Sequence, residues 1–137
     1  MKRAWTEALK ARAGAYAPYS RYRVGAALLG PRGRRWTGCN VENSSFGGTI
    51  CAERTAFLKA VSEGVRSGFT DLVVVVAGSP VNPCGLCLQV ISEFAPSDLR
   101  IWSGTPDGIF ACRTLDELMP VRFTKRELDR NPERRSK

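Results

Sequence analysis

Histidine is absent from all 137 residues. That excludes His-ligated metal sites, Ser-His and Cys-His nucleophile pairs, and the commonest general base near neutral pH. A proton carrier in this chain has to be a carboxylate or a metal-activated water. Long apolar runs are missing too: no stretch approaches the roughly 18 residues that a membrane span needs, so no membrane partner is expected. The segment Met1-Lys2-Arg3-Ala4-Trp5-Thr6-Glu7 starts basic but has no apolar core behind it, which predicts no secretory leader. Five cysteines without such a leader point to a reducing, cytoplasmic setting, with the thiols as ligands or core residues. Acidic residues are scarce at both ends. Residues 1–35 carry nine Lys/Arg against Glu7 alone, and residues 121–137 carry seven against three, within a net charge of +8. A basic chain invites a nucleic-acid reading, but no Lys/Arg run is interleaved with stacking aromatics. A solvated basic surface is the simpler expectation, and no nucleic-acid partner is expected on this composition.

The length fits a single domain, 1–137, with about 125–137 forming a polar tail whose last residues fray. Trp5, Leu9 and Ala13 recur at helical spacing, which predicts a helix over 3–17 stopped by Pro18. The apolar run 24–29, the turn Pro31-Arg32-Gly33 and the segment 35–41 predict a β-hairpin. Gly47-Gly48 breaks the chain before a helix from Cys51 to Glu63, ended by Gly64. Residues 72–77 are nearly all β-branched, as in a strand buried on both faces. Pro83 suits a first helical position and opens a helix to about Phe94. Strands at 99–102 and 109–112 flank Pro106-Asp107-Gly108, and a short helical element follows near Leu115–Leu118. Cys39 and Cys112 lie in apolar strand runs and read as small core residues. The alternation predicts an α/β fold with helices on both faces of one sheet.

The chemistry concentrates in Cys51-Ala52-Glu53-Arg54 and Pro83-Cys84-Gly85-Leu86-Cys87, whose first cysteines are thirty-three residues apart. Cys84 and Cys87, three residues apart, share one face of a helix. Cys51 opens a second helix. Both N-termini would aim partial positive charge at the thiols and favour their ionised, metal-binding form. Three thiolate ligands leave the fourth tetrahedral position of Zn²⁺ open, which marks a catalytic rather than a structural site. Glu53, not a ligand, would carry protons as the catalytic residue, and Arg54 would offset the negative charge of the sulfurs. A structural zinc, buried free cysteines and a Cys84–Cys87 redox pair are the alternatives. No fourth Cys or His stands at a finger-like spacing, and a bare dithiol would leave Glu53 unexplained.

Cys-x-Glu with a distant Pro-Cys-x-x-Cys resembles the zinc-deaminase signature. The chain as a whole resembles the cytidine deaminases, of the small homotetrameric free-nucleoside class. The blocks that carry this are 15–20, 24–28, Gly38-Cys39-Asn40-Val41-Glu42-Asn43, 50–56 and 83–90. The resemblance implies one three-layer domain with a mixed five-stranded sheet and Zn²⁺ as cofactor. It also implies hydrolytic deamination of cytidine and 2′-deoxycytidine in pyrimidine salvage, with a nucleoside as the small-molecule partner. By the same matching, Asn40 and Glu42 would bond the ribose 3′-hydroxyl, and Tyr22 and Phe123 would pack on the pyrimidine, Phe123 often from another subunit. The Ala52 backbone N–H would hold the base carbonyl. A relaxed amidohydrolase acting on N4-modified cytidines, or an RNA/DNA editing deaminase, are the rival readings. Glu42 opposes the second, because a carboxylate repels a 3′-phosphate.

Three positions depart from the family pattern. Phe46 stands where a Tyr commonly reaches across a subunit interface, Asn82 replaces Ser, and Leu88 replaces Arg. None is a zinc ligand or Glu53. Their consequences are expected at the sugar end, at subunit contacts and in tolerance toward a substituted amine.

Overall fold

The computed structural model describes residues 1–130 of the chain. The elements in order are α1 (Lys2–Ala13), β1 (Val24–Leu29), β2 (Arg35–Cys39), α2 (Ala52–Ser62), β3 (Asp71–Val76), α3 (Gly85–Phe94), β4 (Arg100–Thr105), β5 (Gly108–Thr114), α4 (Leu115–Leu118) and α5 (Lys125–Asp129). The five strands form one mixed sheet in the order β2-β1-β3-β4-β5. Only β3 and β4 run parallel; the other neighbours are antiparallel. No helix among the described residues is long and apolar enough to cross a membrane.

Strand alternation divides the core into two layers. Ala26, Leu28, Leu72 and Val74 face α2 and α3, where they meet Ala56, Phe57, Ala60, Cys87 and Ile91. Ala27, Val73 and Val75 face the other way and meet Ala4 and Ala8 of α1. All six residues of β3 are buried, as its β-branched composition predicts for a central strand covered on both sides. Phe57, Phe69 and Trp36 anchor the first layer through edge-to-face contacts, with ring centroids 5.1 and 6.0 Å apart. The three-layer α/β expectation matches this architecture.

Two glycines set how closely the helices approach the sheet. A Cβ on Gly25 would lie 2.0 Å from the Ala8 carbonyl oxygen, and one on Gly38 would lie 2.4 Å from the Ala52 carbonyl oxygen and 2.6 Å from the Ala56 nitrogen. Gly38 therefore seats the first turn of α2, the turn that carries Glu53. Thr55 locks the same seat, its one hydroxyl proton shared between the Cys39 and Cys51 carbonyls, which lie 3.1 and 3.2 Å from its oxygen. Gly38→Ala forces backbone against backbone, and overpacking of this kind costs about 1–3 kcal/mol or more. The variant is expected to show a lower denaturation midpoint and weaker zinc binding together. A midpoint and a zinc affinity equal to wild type would show that α2 has room to move.

Four expectations change. The first helix ends at Ala13, with Gly14 as its C-cap, because Tyr16 pairs elsewhere: its N–H donates to Asn40 O, and Glu42 N–H donates to Tyr16 O. Pro83 is not the first helical residue. Cys84 is the extended N-cap of α3, and Pro83 lies buried just outside it. Cys39 and Cys112 are half-buried rather than core. Residues 125–129 form a helix in place of a featureless tail, with Thr124 and Glu127 in a reciprocal capping box. The fraying expected of the last residues falls at 131–137, outside the described part.

Candidate metal centre and active-site cleft

Cys51 and Cys84 occupy equivalent places, each the extended N-cap of its helix, at α2 and α3. Cys87 follows in the first turn of α3, fully buried. The two helices pack side by side on the same sheet face, so three sulfurs from distant sequence positions converge within 4.8 Å of one another. The Cys84 and Cys87 sulfurs are 3.5 Å apart. Zinc–sulfur bonds of about 2.3 Å at tetrahedral angles separate sulfurs by roughly 3.8 Å, a spacing this triad admits. The donor set is soft, compact and, among the described residues, supplied by three protein groups, which fits a zinc with one position open.

Electrostatics support the same use. The hydrogen bond with Cys87 is the largest influence drawing the Cys51 thiol down to about 5, and Arg54 adds to it. The same hydrogen bond and burial push Cys87 up. Cys51 is thus the sulfur most disposed to ionise, and a metal that binds all three sulfurs displaces the thiol protons. Arg54 donates through Nη2 to the Thr49 carbonyl at 2.7 Å and stands 3.8 Å from the Cys51 sulfur. Its Nε is buried and has no hydrogen-bond partner among the described residues, so these two contacts are what tie the guanidinium to the site.

Glu53, in the first turn of α2, is only 5% exposed. Burial pushes its carboxyl up to about 7, with the Cys51 thiolate acting in the same direction. A carboxyl titrating near neutrality can both accept and return a proton, which is what acid–base catalysis asks of it. Cys51, Glu53 and Cys84 open on a cleft of about 410 Å³ whose other walls include Ser20, Tyr22, Asn40 and Glu42. Ser20, Glu42 and Thr49 also line an adjoining hollow that runs to Tyr19 and Phe46.

The expected site residues therefore meet, with two qualifications. Phe123 does not line the cleft; it is 57% exposed, and its carbonyl accepts from Gln89 Nε2 at 2.8 Å. Ala52 is buried as the first residue of α2, where a backbone N–H has no partner within the helix. Asn40 and Glu42 carry contacts the sequence did not reveal. Asn40 Oδ1 accepts from Val24 N and its Nδ2 donates to Tyr22 O, both at 2.8 Å. Glu42 accepts from Tyr19 N at 2.9 Å and Ser20 N at 3.2 Å. These side chains hold the 19–24 segment as a wall of the cleft. Ser20, Thr49 and Val81 also line it and were not singled out from the sequence; only folding brings them together. Val81 is fixed by Ser103, whose hydroxyl donates to its carbonyl at 2.8 Å across from β4.

Comparison with known proteins agrees with the geometry. Residues 1–102 match the family model of the cytidine and deoxycytidylate deaminase zinc-binding region. A cytidine deaminase of Halalkalibacterium halodurans is 47% identical over 123 residues, covering 90% of this chain and 93% of its own. One of Sporosarcina psychrophila is 48% identical over 122 residues, covering 89% and 90%. The crystal structure of a cytidine deaminase from Burkholderia pseudomallei aligns with a TM-score of 0.85 at 39% identity, over 89% of this chain and 98% of that one. With a matched family model, relatives near half-identical over most of both chains, and a three-sulfur centre suited to zinc, the chain belongs to the zinc-dependent cytidine and deoxycytidylate deaminase family.

Proposed function

We propose that this protein hydrolyses cytidine and 2′-deoxycytidine to uridine and 2′-deoxyuridine, releasing ammonia, as an enzyme of pyrimidine salvage. The observation that carries the reading is Glu53, a buried carboxyl that opens on a nucleoside-sized cleft beside the sulfur triad. Cys51, Cys84 and Cys87 would hold the zinc, which when bound would supply the Lewis acidity that makes water nucleophilic at neutral pH. Glu53 moves both protons of that water. One goes to N3 of the base as oxygen bonds to C4; the other goes to the amine as the C4–N4 bond breaks. Arg54 tempers the charge of the sulfurs, and the Ala52 N–H holds the base carbonyl. Tyr22 packs on the ring, and Asn40 and Glu42 serve the sugar.

Phe123 completes the ring pocket from a neighbouring subunit, which accounts for its exposure in the single chain and favours a homotetramer. Thiols that must remain reduced to bind metal suit a cytoplasmic enzyme.

The test is ultraviolet loss of cytidine absorbance, run beside cytidine 3′-phosphate and single-stranded oligonucleotides of matched cytosine content. A carboxylate facing a 3′-phosphate sets like charges together, so kcat/KM for the 3′-phosphate is expected to fall about tenfold or more. Internal cytosines carry that phosphate by necessity and should stay intact. Deamination of an oligonucleotide at the rate of free cytidine would replace the nucleoside reading with a nucleic-acid one.

A further inference from the structure

The segment entering β1 is wound around one carboxylate. Arg21, within it, has φ 58, the left-handed region that side chains of its size rarely adopt. Strain of this kind persists where surrounding contacts over-determine it. Here they converge on Glu42: Tyr19 N and Ser20 N donate to Oε2, and the Ser20 hydroxyl donates to Oε1. The same hydroxyl accepts from Tyr22 N at 3.0 Å. One serine oxygen thus links the carboxylate to the residue that forms the ring wall. Ser20 and Glu42 both line the cleft.

An ionised carboxylate offers about four lone-pair sites. Three are filled by the segment itself, which leaves a single acceptor direction. The Ser20 hydrogen bond, the largest influence on Glu42, holds its carboxyl below the usual range and so keeps it acceptor-only. In a cytosine ring the amine-bearing carbon and N1 lie across from each other. A base with its amine at Glu53 therefore sends its N1 substituent away from the sulfurs, into the cleft that Glu42 also lines.

We propose that Ser20 is a positioning residue that sets specificity for the sugar: it holds Glu42 in the orientation from which one substrate hydroxyl is bonded. This rests on the reading of Glu42 as the sugar-facing carboxylate. Without Ser20 the glutamate regains rotamer freedom, and the ordering it loses is charged to substrate binding instead.

Steady-state kinetics on cytidine and 2′,3′-dideoxycytidine, for wild type, Ser20→Ala and Ser20→Thr, tests it. Wild type is expected to prefer cytidine. Ser20→Ala should raise KM for cytidine about tenfold, the worth of a charge-assisted hydrogen bond, with kcat within about threefold. KM for the dideoxynucleoside should not move, zinc content should stay at the wild-type level, and Ser20→Thr should restore cytidine KM. An equal KM shift on both substrates, no shift on either, or no recovery with threonine would overturn the role of Ser20. A wild type that handles the two nucleosides alike would overturn the Glu42 reading, and Ser20's role with it.

Discussion

Glu53→Gln is expected to fold, keep its zinc and lose about three orders of magnitude in kcat, within the range set by removing a positioned acid–base group. The amide matches the carboxyl in size, so the packing around this buried side chain survives. Burial already disfavours the ionised form of Glu53, so a neutral replacement relieves a cost and should not lower the melting temperature. What the amide cannot do is take a proton from water and hand it on. The split between intact metal content and lost turnover is the signature. A kcat within tenfold of wild type, at full zinc occupancy, would remove Glu53 from the chemistry.

The second large effect separates metal binding from packing. Cys84 is exposed whereas Cys87 is fully buried. Cys84→Ala therefore deletes a ligand with little loss of core, while Cys87→Ala deletes a ligand and opens a small hole beneath α3. Both are expected to lose zinc and activity together, since two thiolates hold the ion poorly. Only Cys87→Ala should also lose stability from packing, measured on chelated protein so that the metal's own contribution is removed. Stoichiometric zinc and full turnover in Cys84→Ala would show that the triad is not the ligand set.

The chemistry was more legible than the geometry that serves it. Cys-x-Glu and Pro-Cys-x-x-Cys could be read because few residue types ligate zinc and the absence of histidine leaves few others. The hairpin, α2 and β3 were legible because local composition and tertiary environment agree: glycines bound α2, and β-branched residues fill the doubly covered strand. The end of α1 was not, because Tyr16 is drawn out of the helix by Asn40 and Glu42, residues more than twenty positions away. For the same reason the sequence marked Asn40 and Glu42 only through the family resemblance and did not reveal the 19–24 segment they hold. Gly38 looked like an ordinary strand glycine until the structure showed that a Cβ there would lie 2.4 Å from the Ala52 carbonyl oxygen of α2. The C-terminal helix α5 was readable from Thr124-x-x-Glu127, a capping box that the charged composition around it obscured. Phe123 lies outside the cleft of the single chain, 57% exposed, a placement that its isolated position in a polar segment gave no means to read.

The central claim is that three sulfurs hold the zinc on which Glu53's chemistry depends. It is tested most directly by stripping the protein with a chelator and titrating zinc back while following ammonia release from cytidine. The account predicts no release from stripped protein and recovery in proportion to zinc bound, with a plateau at one ion per chain. Full activity in the metal-stripped protein, or zinc binding at that stoichiometry with no deamination of cytidine, would contradict it.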